Sequence, residues 1–400
     1  MRYLVVELFW AAIQAGCVSF NAAYLIRLGG SNLQVSLLTA GGALIVALTT
    51  LPFAALVQRT RQRRRLIVGS LALMRLIYGL QIVVPWLPFW RPEAMVAIML
   101  LLNISASLFS AGWLPLLADM IPLARRGKIF AARNLTQGIT VTIVTFLLGR
   151  WLNLITFPLN YQLLYLLGLI TSQISTLYVA RLVLPEPAEP ADGAGARPSV
   201  AALFRQLPKR RSFLNIIINT LIFTAPAWMA IPLQPIYFVR ELGADEGWLG
   251  MWAGLVSAGV IAGNLIWSRT IERKGASWVL VRTAWLSTLY YLLIALFPNL
   301  TLILLFGLLI GMVTPGVELS HLNVLFQVCP ADQRTIAMGL YIMLMNFGAF
   351  LTPLAVAPLI DLIGMRPTVL VLYGLRVAGA LLFALNPVRV DAPEPLPQAG

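Results

Sequence analysis

The stretch Leu184–Ser212 reads LPEPAEPADGAGARPSVAALFRQLPKRRS and is the least hydrophobic part of the chain. It starts with prolines, small residues and acids, and it ends in the basic group Lys209, Arg210 and Arg211. The sequence on either side is almost entirely apolar, and the two flanks match in length and internal pattern. The stretch therefore predicts a linker, residues 184–212, between two structural halves.

The composition of the chain indicates that these halves lie in a lipid bilayer. Hydrophobic residues make up 59% of the 400 residues and charged residues only 11%, whereas a soluble chain carries about 25% charged residues. So little charge cannot cover a water-exposed surface of this size. The first apolar run contains Glu7 and continues into further membrane pattern, which does not fit a removable signal peptide. Cys17 and Cys329 lie in different segments and indicate neither a disulfide framework nor a zinc site.

Twelve apolar runs are long enough to cross a membrane as helices, and we number them spans 1 to 12. A bilayer core about 30 Å thick requires about 20 residues of helix. The first six predict a half over residues 1–183 and lie near 4–26, 33–57, 66–88, 94–117, 131–156 and 160–183. The last six predict a half over residues 213–387 and lie near 213–238, 247–271, 277–297, 300–327, 335–360 and 366–386. The Pro-rich tail, residues 388–400, is predicted to be disordered and cytoplasmic.

The positions of the basic residues predict the orientation. The net charge is +14, and Lys and Arg resist transfer across a membrane. If both termini are cytoplasmic, the inner loops, the linker and the termini hold most of the 29 basic residues. The opposite side keeps only Arg27, Arg91, Arg150, Arg240 and Arg366. The basic balance therefore indicates a multi-pass protein of the plasma membrane with cytoplasmic termini, and nucleic acid is not an expected partner.

The two halves repeat each other in sequence. Residues 24–29 (YLIRLG) correspond to 238–243 (FVRELG) at an offset of 214. Two later pairs of positions, in spans 3 and 9 and after spans 4 and 10, correspond at offsets of 213 and 208. Three matches in the same order at nearly constant offset predict an all-α membrane protein of twelve helices in two six-helix repeats. In secondary transporters built from such parallel repeats, the substrate site lies near the midplane between the repeats.

These features resemble the major facilitator superfamily (MFS) of secondary transporters over about residues 4 to 386. The stretch Ser268–Gly275 fits the family motif between the second and third spans of a half, with Glu272 as the acid, Arg273 as a basic residue and Gly275 as the turn glycine. The first copy keeps basic residues, including Arg59 and Arg63, but has Gln58 at the acid position. The resemblance implies that the acid holds neighbouring helix ends together on the cytoplasmic side and is released during gating. The first copy lacks the acid that such a latch requires.

Subfamily signals do not decide between kinds of transport. Drug–proton antiporters of this superfamily usually carry an arginine within span 4 and a Gly/Pro-rich run in span 5, and neither is present. A multidrug exporter nevertheless remains an alternative, as does a membrane sensor or scaffold that uses the fold without transport. A polytopic membrane enzyme would need clustered acids or metal ligands near one surface, and the sequence offers none.

Polar residues at helical spacing mark candidate positions for a substrate. The resemblance implies that spans 1, 4, 7 and 10 line a central cavity, and each of these spans carries a polar stripe. The candidates are Gln14 and Asn21 in span 1, Asn103 and Ser107 in span 4, Asn219 and Gln234 in span 7, Thr314 in span 10 and Asn346 in span 11. The alternative is that these side chains join helices to one another. Glu7 lies only three residues into span 1 and is expected near the lipid headgroups.

Span 10 also carries the candidate groups for proton coupling. Glu318 and the single histidine of the chain, His321, are three residues apart and share one helix face with Thr314. Ionisable groups are expensive at membrane depth, and desolvation favours the protonated carboxylic acid. Such a pair could take up and release a proton as access alternates, or it could be a structural pair. Arg75 and Arg376 lie within spans 3 and 12, which the resemblance places outside the cavity, and they are expected to have structural roles.

The sequence thus predicts a non-enzymatic secondary transporter, either a symporter or an antiporter, for a small solute. Alternating access between the two halves and coupling to protons are the expected mechanism. No nucleotide-binding loop is present, and we predict no cofactor and no metal. The expected partners are the small-molecule substrate, the lipid bilayer and protons, and the expected state is a monomer.

Overall fold

The computed structural model describes residues 2–60, 62–120, 123–182, 211–328 and 334–385. Nearly all of the predicted linker and the whole predicted tail lie outside these ranges. Within them the chain is helical and contains no strand. Twelve helical segments are long and apolar enough to cross a membrane, which confirms the predicted fold class.

Each half contains six spans. In the first half they consist of the helices Arg2–Val18 and Asn21–Arg27 (span 1), Asn32–Arg59, Arg63–Gly79, Arg91–Met120, Leu123–Leu152 and Leu159–Ala180. In the second half they consist of Arg211–Ile236, Glu246–Lys274, Ala276–Leu296, Leu300–Val328, Arg334–Leu354 with Val356–Ile363 (span 11), and Met365–Leu385. Short 3-10 helices extend span 3, and the π-helix Tyr237–Glu241 extends span 7. The largest departure from prediction is span 5, whose helix begins at residue 123 and not near 131.

The repeat seen in the sequence is also a repeat of local structure. Gly29 and Gly243, at the ends of the repeated motif, both have positive φ angles, 87° and 68°, which glycine adopts without steric cost. Two residues further on, Ser31 and Asp245 are the N-caps of spans 2 and 8, and each side chain accepts a hydrogen bond from a backbone N–H of the first turn. The motif therefore forms the same turn between two spans in both halves.

Spans 1 and 7 are interrupted along their length, as is span 11 between Leu354 and Val356. The helix of span 1 ends at Val18 and the next helix begins at Asn21. Span 7 contains Pro226, Pro232 and Pro235 and then changes to π-helix at Tyr237. Proline removes a backbone donor and clashes with the preceding turn, so the irregularity of span 7 has its cause in the sequence. Broken helices are tolerated inside a membrane where protein or a cavity surrounds the free backbone groups.

The two halves pack through spans 5 and 8 and through spans 2 and 11. Glycine permits backbone contact in the first of these pairs. A Cβ atom on Gly149 would lie 2.6 Å from the carbonyl oxygen of Glu246, and one on Gly250 would lie 2.7 Å from that of Thr145. These distances are too short for any side chain, so the two halves touch here through their backbones.

Among the described residues, a hydrophobic cluster joins the halves at one end of the bundle. We call the end at which span 6 ends and span 7 begins the linker end, and the opposite end the far end. A hydrophobic cluster that includes Tyr24, Tyr161, Leu233 and Phe238 crosses from one half to the other at the far end. At the linker end, two separate clusters are each confined to one half. The bundle described here is therefore closed at the far end.

Candidate functional site

A cavity of about 570 Å³ lies between the halves at the interruption of span 1. Spans 1, 2, 4, 5, 7 and 8 contribute to its wall. The polar groups are Ser19, Asn21, Thr39, Asn103, Thr145 and Gln234, and the aromatic ones are Phe20, Phe238 and Trp252. Its size falls in the range of small-molecule sites, which combine an apolar wall with a few placed polar groups.

Three side-chain amides in the wall keep hydrogen-bonding capacity for a solute. Asn21 accepts a hydrogen bond from the Tyr165 hydroxyl at 2.9 Å, and Gln234 donates to the Tyr290 hydroxyl at 3.1 Å. Asn103 donates to the Met99 carbonyl of its own helix at 2.8 Å. An amide has two donor hydrogens and an oxygen with two lone pairs, so each retains unused groups. The buried hydroxyl of Thr145 has no partner among the described residues.

The electrostatic character of the cavity is neutral. Among the described residues that line it, none is Asp, Glu, Lys, Arg or His. Burial of a charge without a paired or hydrogen-bonded counter-group is costly. The cavity therefore suits an uncharged solute that combines hydrogen-bonding groups with an apolar or aromatic face.

The other candidate cavity residues lie elsewhere in the structure. Ser107 is hydrogen-bonded to Thr49 in span 2 at 2.7 Å, and Asn219 donates to the Leu382 carbonyl in span 12 at 3.3 Å. Thr314 and Asn346 bond to carbonyls of their own helices. Gln14 is buried in span 1. None of these five is part of the cavity wall, and the first two join helices instead.

Glu318 and His321 are not paired with each other. His321 Nε2 lies 2.8 Å from the Thr220 hydroxyl in span 7, and its ring packs 5.8 Å from that of Tyr341 in span 11. Glu318 is exposed, and no hydrogen bond or ion pair joins it to a described residue. It is about 180° around the helix from the exposed Leu309, at 3.6 residues per turn.

The gating motif of the second half has the expected turn but no ion pair in this structure. Gly275 ends span 8 with a φ of 83°. Glu272 and Arg273 are both exposed, and neither forms a salt bridge with a described residue. Of Arg59 and Arg63, the structure describes the helical backbone and not the side chains.

A buried polar network in the first half was not predicted. Glu7 is only 4% exposed, so its carboxylate lies inside the protein. It pairs with Arg133 of span 5 at 3.0 Å and accepts a hydrogen bond from Ser175 of span 6 at 3.2 Å. Arg75 of span 3 donates to Ser175 as well, at 2.9 Å. Helical spacing could not reveal these contacts, because the partners come from four different spans.

In the second half, a buried arginine has a similar role without a carboxylate. Arg376 of span 12 donates to the Ser287 hydroxyl of span 9 at 3.2 Å and to the Phe223 carbonyl of span 7 at 2.6 Å. Its guanidinium also lies 3.6 Å from the centroid of the Phe223 ring. These contacts compensate the buried charge by hydrogen bonds and a cation–π interaction. The expected structural role of Arg75 and Arg376 is consistent with these partners.

The far end is held closed by polar contacts that the sequence analysis also missed. Arg27 of span 1 forms two hydrogen bonds to the carboxylate of Glu246 in span 8, at 2.8 and 3.0 Å. Arg240 of span 7 donates to Asn32 and to the Gly30 carbonyl in the first half. Asn32 and Glu246 are equivalent at the offset of 214, whereas Arg27 and Arg240 are 213 residues apart, so the two contacts are similar but not equivalent by the repeat. The sparse arginines on this side of the membrane were the signal that could have revealed them.

The geometry defines a twelve-span helical membrane protein with an uncharged cavity between two repeated halves. The sequence profile of the Major Facilitator Superfamily matches residues 4–228 and again residues 216–400. The chain belongs to this superfamily and is a membrane transporter. The resemblance noted in the sequence is thereby confirmed.

Solved transporter structures share this fold. A variant of the nucleoside transporter NupG is 12% identical over 96% of this chain and 98% of that chain, with a TM-score of 0.76. A bacterial homolog of the human lysosomal transporter Spinster, inward-facing and occupied, is 11% identical over 98% of each chain, with a TM-score of 0.71. A POT family transporter in complex with 5-aminolevulinic acid is 11% identical over 98% of this chain and 96% of that chain, with a TM-score of 0.73. At such identities the likeness shows the fold alone. No curated protein sequence matches the chain.

Proposed function

We propose that the protein is a secondary active transporter of a small uncharged solute. One observation carries this proposal: the cavity between the halves has amide and hydroxyl groups, an aromatic wall and no charged residue among those described. At the far end, one hydrophobic cluster contains residues of both halves. At the linker end, each half has its own hydrophobic cluster. Movement of one half against the other would expose the cavity to each side in turn, as in other transporters built from repeats.

The linker end faces the cytoplasm in this proposal, and the membrane is the plasma membrane. Basic residues concentrate at that end, and the positive-inside rule assigns such an end to the cytoplasmic side. The structure then corresponds to a conformation closed towards the outside.

The solute class can be tested with three probes of different charge. Uridine is a neutral solute with hydrogen-bonding groups and an aromatic face, and the similar fold of a nucleoside transporter makes it a suitable first choice. The zwitterion 5-aminolevulinic acid represents charged metabolites, and tetraphenylphosphonium represents the lipophilic cations of multidrug exporters. The uncharged wall predicts binding of uridine and weak or no binding of 5-aminolevulinic acid, because a buried charge without a counter-group is costly.

The assay is counterflow of each labelled probe into proteoliposomes that contain the purified protein. Uridine exchange with little exchange of 5-aminolevulinic acid is the expected result. Flux of tetraphenylphosphonium alone would replace the proposed solute class by multidrug export. Absence of flux for all three probes would contradict the proposal and favour a sensor or scaffold.

We also propose that Glu318 carries the coupling proton. It is the only acid within the described part of span 10, and no ion pair joins it to a described residue. His321 belongs to a different group of side chains, with Thr220 and Tyr341, and is proposed to support the site by positioning spans 7 and 10. An intramembrane ionisable residue is expensive unless it has a function or a partner.

The coupling proposal predicts a specific loss in Glu318→Gln. This variant should keep uridine counterflow, because the cavity is unchanged, but lose accumulation driven by a pH gradient across the liposome membrane. Asp361→Asn is the matched control, since Asp361 is also an exposed acid of the second half but lies near the far end of span 11, outside the gating motif and the cavity wall. Accumulation in Glu318→Gln at the wild-type level would rule out the coupling role.

A further inference from the structure

The short helix Asn21–Arg27 connects the cavity with the contacts that close the far end. Its first residue, Asn21, lies in the cavity wall, and its last residue, Arg27, binds Glu246 in the other half. Six rises of 1.5 Å separate these positions by about 9 Å. The helix is bounded by the interruption after Val18 and by Gly29 with its positive φ. It can therefore move as a unit between two irregular points of the backbone.

At the far end, the contact of this helix is an ion pair between the halves. Both carboxylate oxygens of Glu246 accept hydrogen bonds from Arg27, and one of them also accepts from the Tyr161 hydroxyl at 3.2 Å. Glu246 is the first helical residue of span 8 and is buried. A carboxylate is favourable there because the helix dipole places partial positive charge at the N-terminus. The position of Glu246 is thus set by span 8, by Tyr161 and by Arg27 together.

At the cavity, the same helix is held by tyrosines of span 6. The Tyr165 hydroxyl donates to Asn21. Between the two ends, the ring of Tyr24 lies 5.1 Å from that of Tyr165 and is stacked at 4.7 Å on that of Tyr161. All three tyrosines are fully buried. Packed interiors transmit small displacements because they contain few voids, so a shift of Asn21 cannot occur without movement at Tyr161.

We infer that the short helix Asn21–Arg27 couples the state of the cavity to the closure of the far end, with Tyr165 and Tyr161 as its positioning residues. A solute that donates to the Asn21 amide oxygen in place of Tyr165 releases Asn21 from span 6. Release from Tyr165 lets the helix move, and that movement weakens the contact between Arg27 and Glu246. The role of the solute rests on the proposed function, whereas the mechanical connection does not.

The connection can be measured without any solute. Spin labels at Leu154→Cys in the first half and Phe297→Cys in the second half report the opening of the far end, since both side chains are exposed between spans on that side. The background chain has Cys17 and Cys329 replaced by alanine. Double electron–electron resonance in proteoliposomes then gives the ratio of open to closed far-end distances. Glu246→Gln removes the ion pair and should raise this ratio. Its ratio is the reference with which the other variants are compared.

The test compares two pairs of substitutions. Asn21→Ala and Tyr165→Phe should each raise the open-to-closed ratio by about threefold or more, and the double variant should add little to either, because contacting residues are not additive. The control pair is Ser107→Ala and Thr49→Val, which removes a hydrogen bond between spans 2 and 4 outside the cavity wall. That pair should leave the ratio within about 1.5-fold of wild type.

Three outcomes would overturn the inference. The first is that Tyr165→Phe and Asn21→Ala keep the wild-type ratio of open to closed distances although Glu246→Gln raises this ratio. The second is an equal rise in the control pair, which would indicate general loosening of the helix packing. The third is an unchanged ratio in Glu246→Gln. Melting temperatures of all variants show whether each is folded, and Tyr165→Phe, which removes a single oxygen, decides the question if Asn21→Ala does not fold. Since no solute is present, failure here leaves the proposed function untouched.

Discussion

The glycine contact between spans 5 and 8 allows a sharp prediction about the balance between conformations. In Gly250→Ala, the new Cβ atom would lie 2.7 Å from the Thr145 carbonyl oxygen and 2.9 Å from the Cα atom of Gly149. Both neighbours are backbone atoms of the other half and cannot rotate away. The halves must therefore separate at the far end, and overpacking of this kind costs about 1–3 kcal/mol. Conformations in which spans 5 and 8 are apart do not bear this cost.

Gly254, one helical turn further along span 8, provides the matched control. A Cβ atom there would meet nothing closer than 3.7 Å, which is ordinary van der Waals contact. Both substitutions gain the same helix propensity, about 1 kcal/mol for Gly to Ala, and that gain does not differ between open and closed conformations. The two variants therefore differ in the balance between open and closed conformations only through the backbone contact between the halves.

The assay is the open-to-closed ratio of the spin-labelled chain described above. Since a factor of ten corresponds to about 1.4 kcal/mol, Gly250→Ala should raise the ratio by about 5-fold to 150-fold over Gly254→Ala. Equal ratios in the two variants would refute the conclusion that backbone contact at Gly250 keeps the far end closed.

Two further predictions concern polar groups. Arg133→Ala leaves the buried carboxylate of Glu7 without its ionic partner and should destabilise the protein by about 3–5 kcal/mol, whereas the double variant with Glu7→Gln should recover part of the loss in a thermal unfolding assay. If the double variant is no more stable than Arg133→Ala within the error of the assay, Glu7 and Arg133 do not stabilise each other. Asn103→Ala should weaken uridine binding by about 2-fold to 12-fold, because one hydrogen bond contributes about 0.5–1.5 kcal/mol. Asn346→Ala lies outside the cavity wall and should leave uridine binding unchanged. Isothermal calorimetry measures both affinities.

The membrane-spanning architecture could be predicted from the sequence because its causes are local. A helix pairs its backbone groups within one segment, and lipid requires that segment to be apolar for about 20 residues. Each span is therefore visible as a run of sequence, and the twelve predicted runs correspond to the twelve helical segments. The repeated motif was visible for the same reason, since Gly29 and Gly243 end it with the same turn.

The candidate site was only partly accessible to this reasoning. Helical spacing shows which residues share a face, and it does not show what that face meets. Asn21 and Ser107 both fitted a polar stripe, yet Asn21 lies in the cavity wall and Ser107 bonds to Thr49 of a neighbouring span. Glu318 and His321 shared a helix face, but Thr220 from span 7 is the partner of His321.

The sequence by itself determined the spans, the repeat and the distribution of basic residues, all of which depend on neighbouring positions along one chain segment. Only the tertiary structure decided that Glu7 meets Arg133 and that Arg27 meets Glu246 across the two halves. In a bilayer, the solvent offers these groups no alternative partner, so their pairing depends on which helices pack together. That packing is set by shape, above all by glycines such as Gly149 and Gly250 that allow two backbones to touch, and not by any pattern within a single helix.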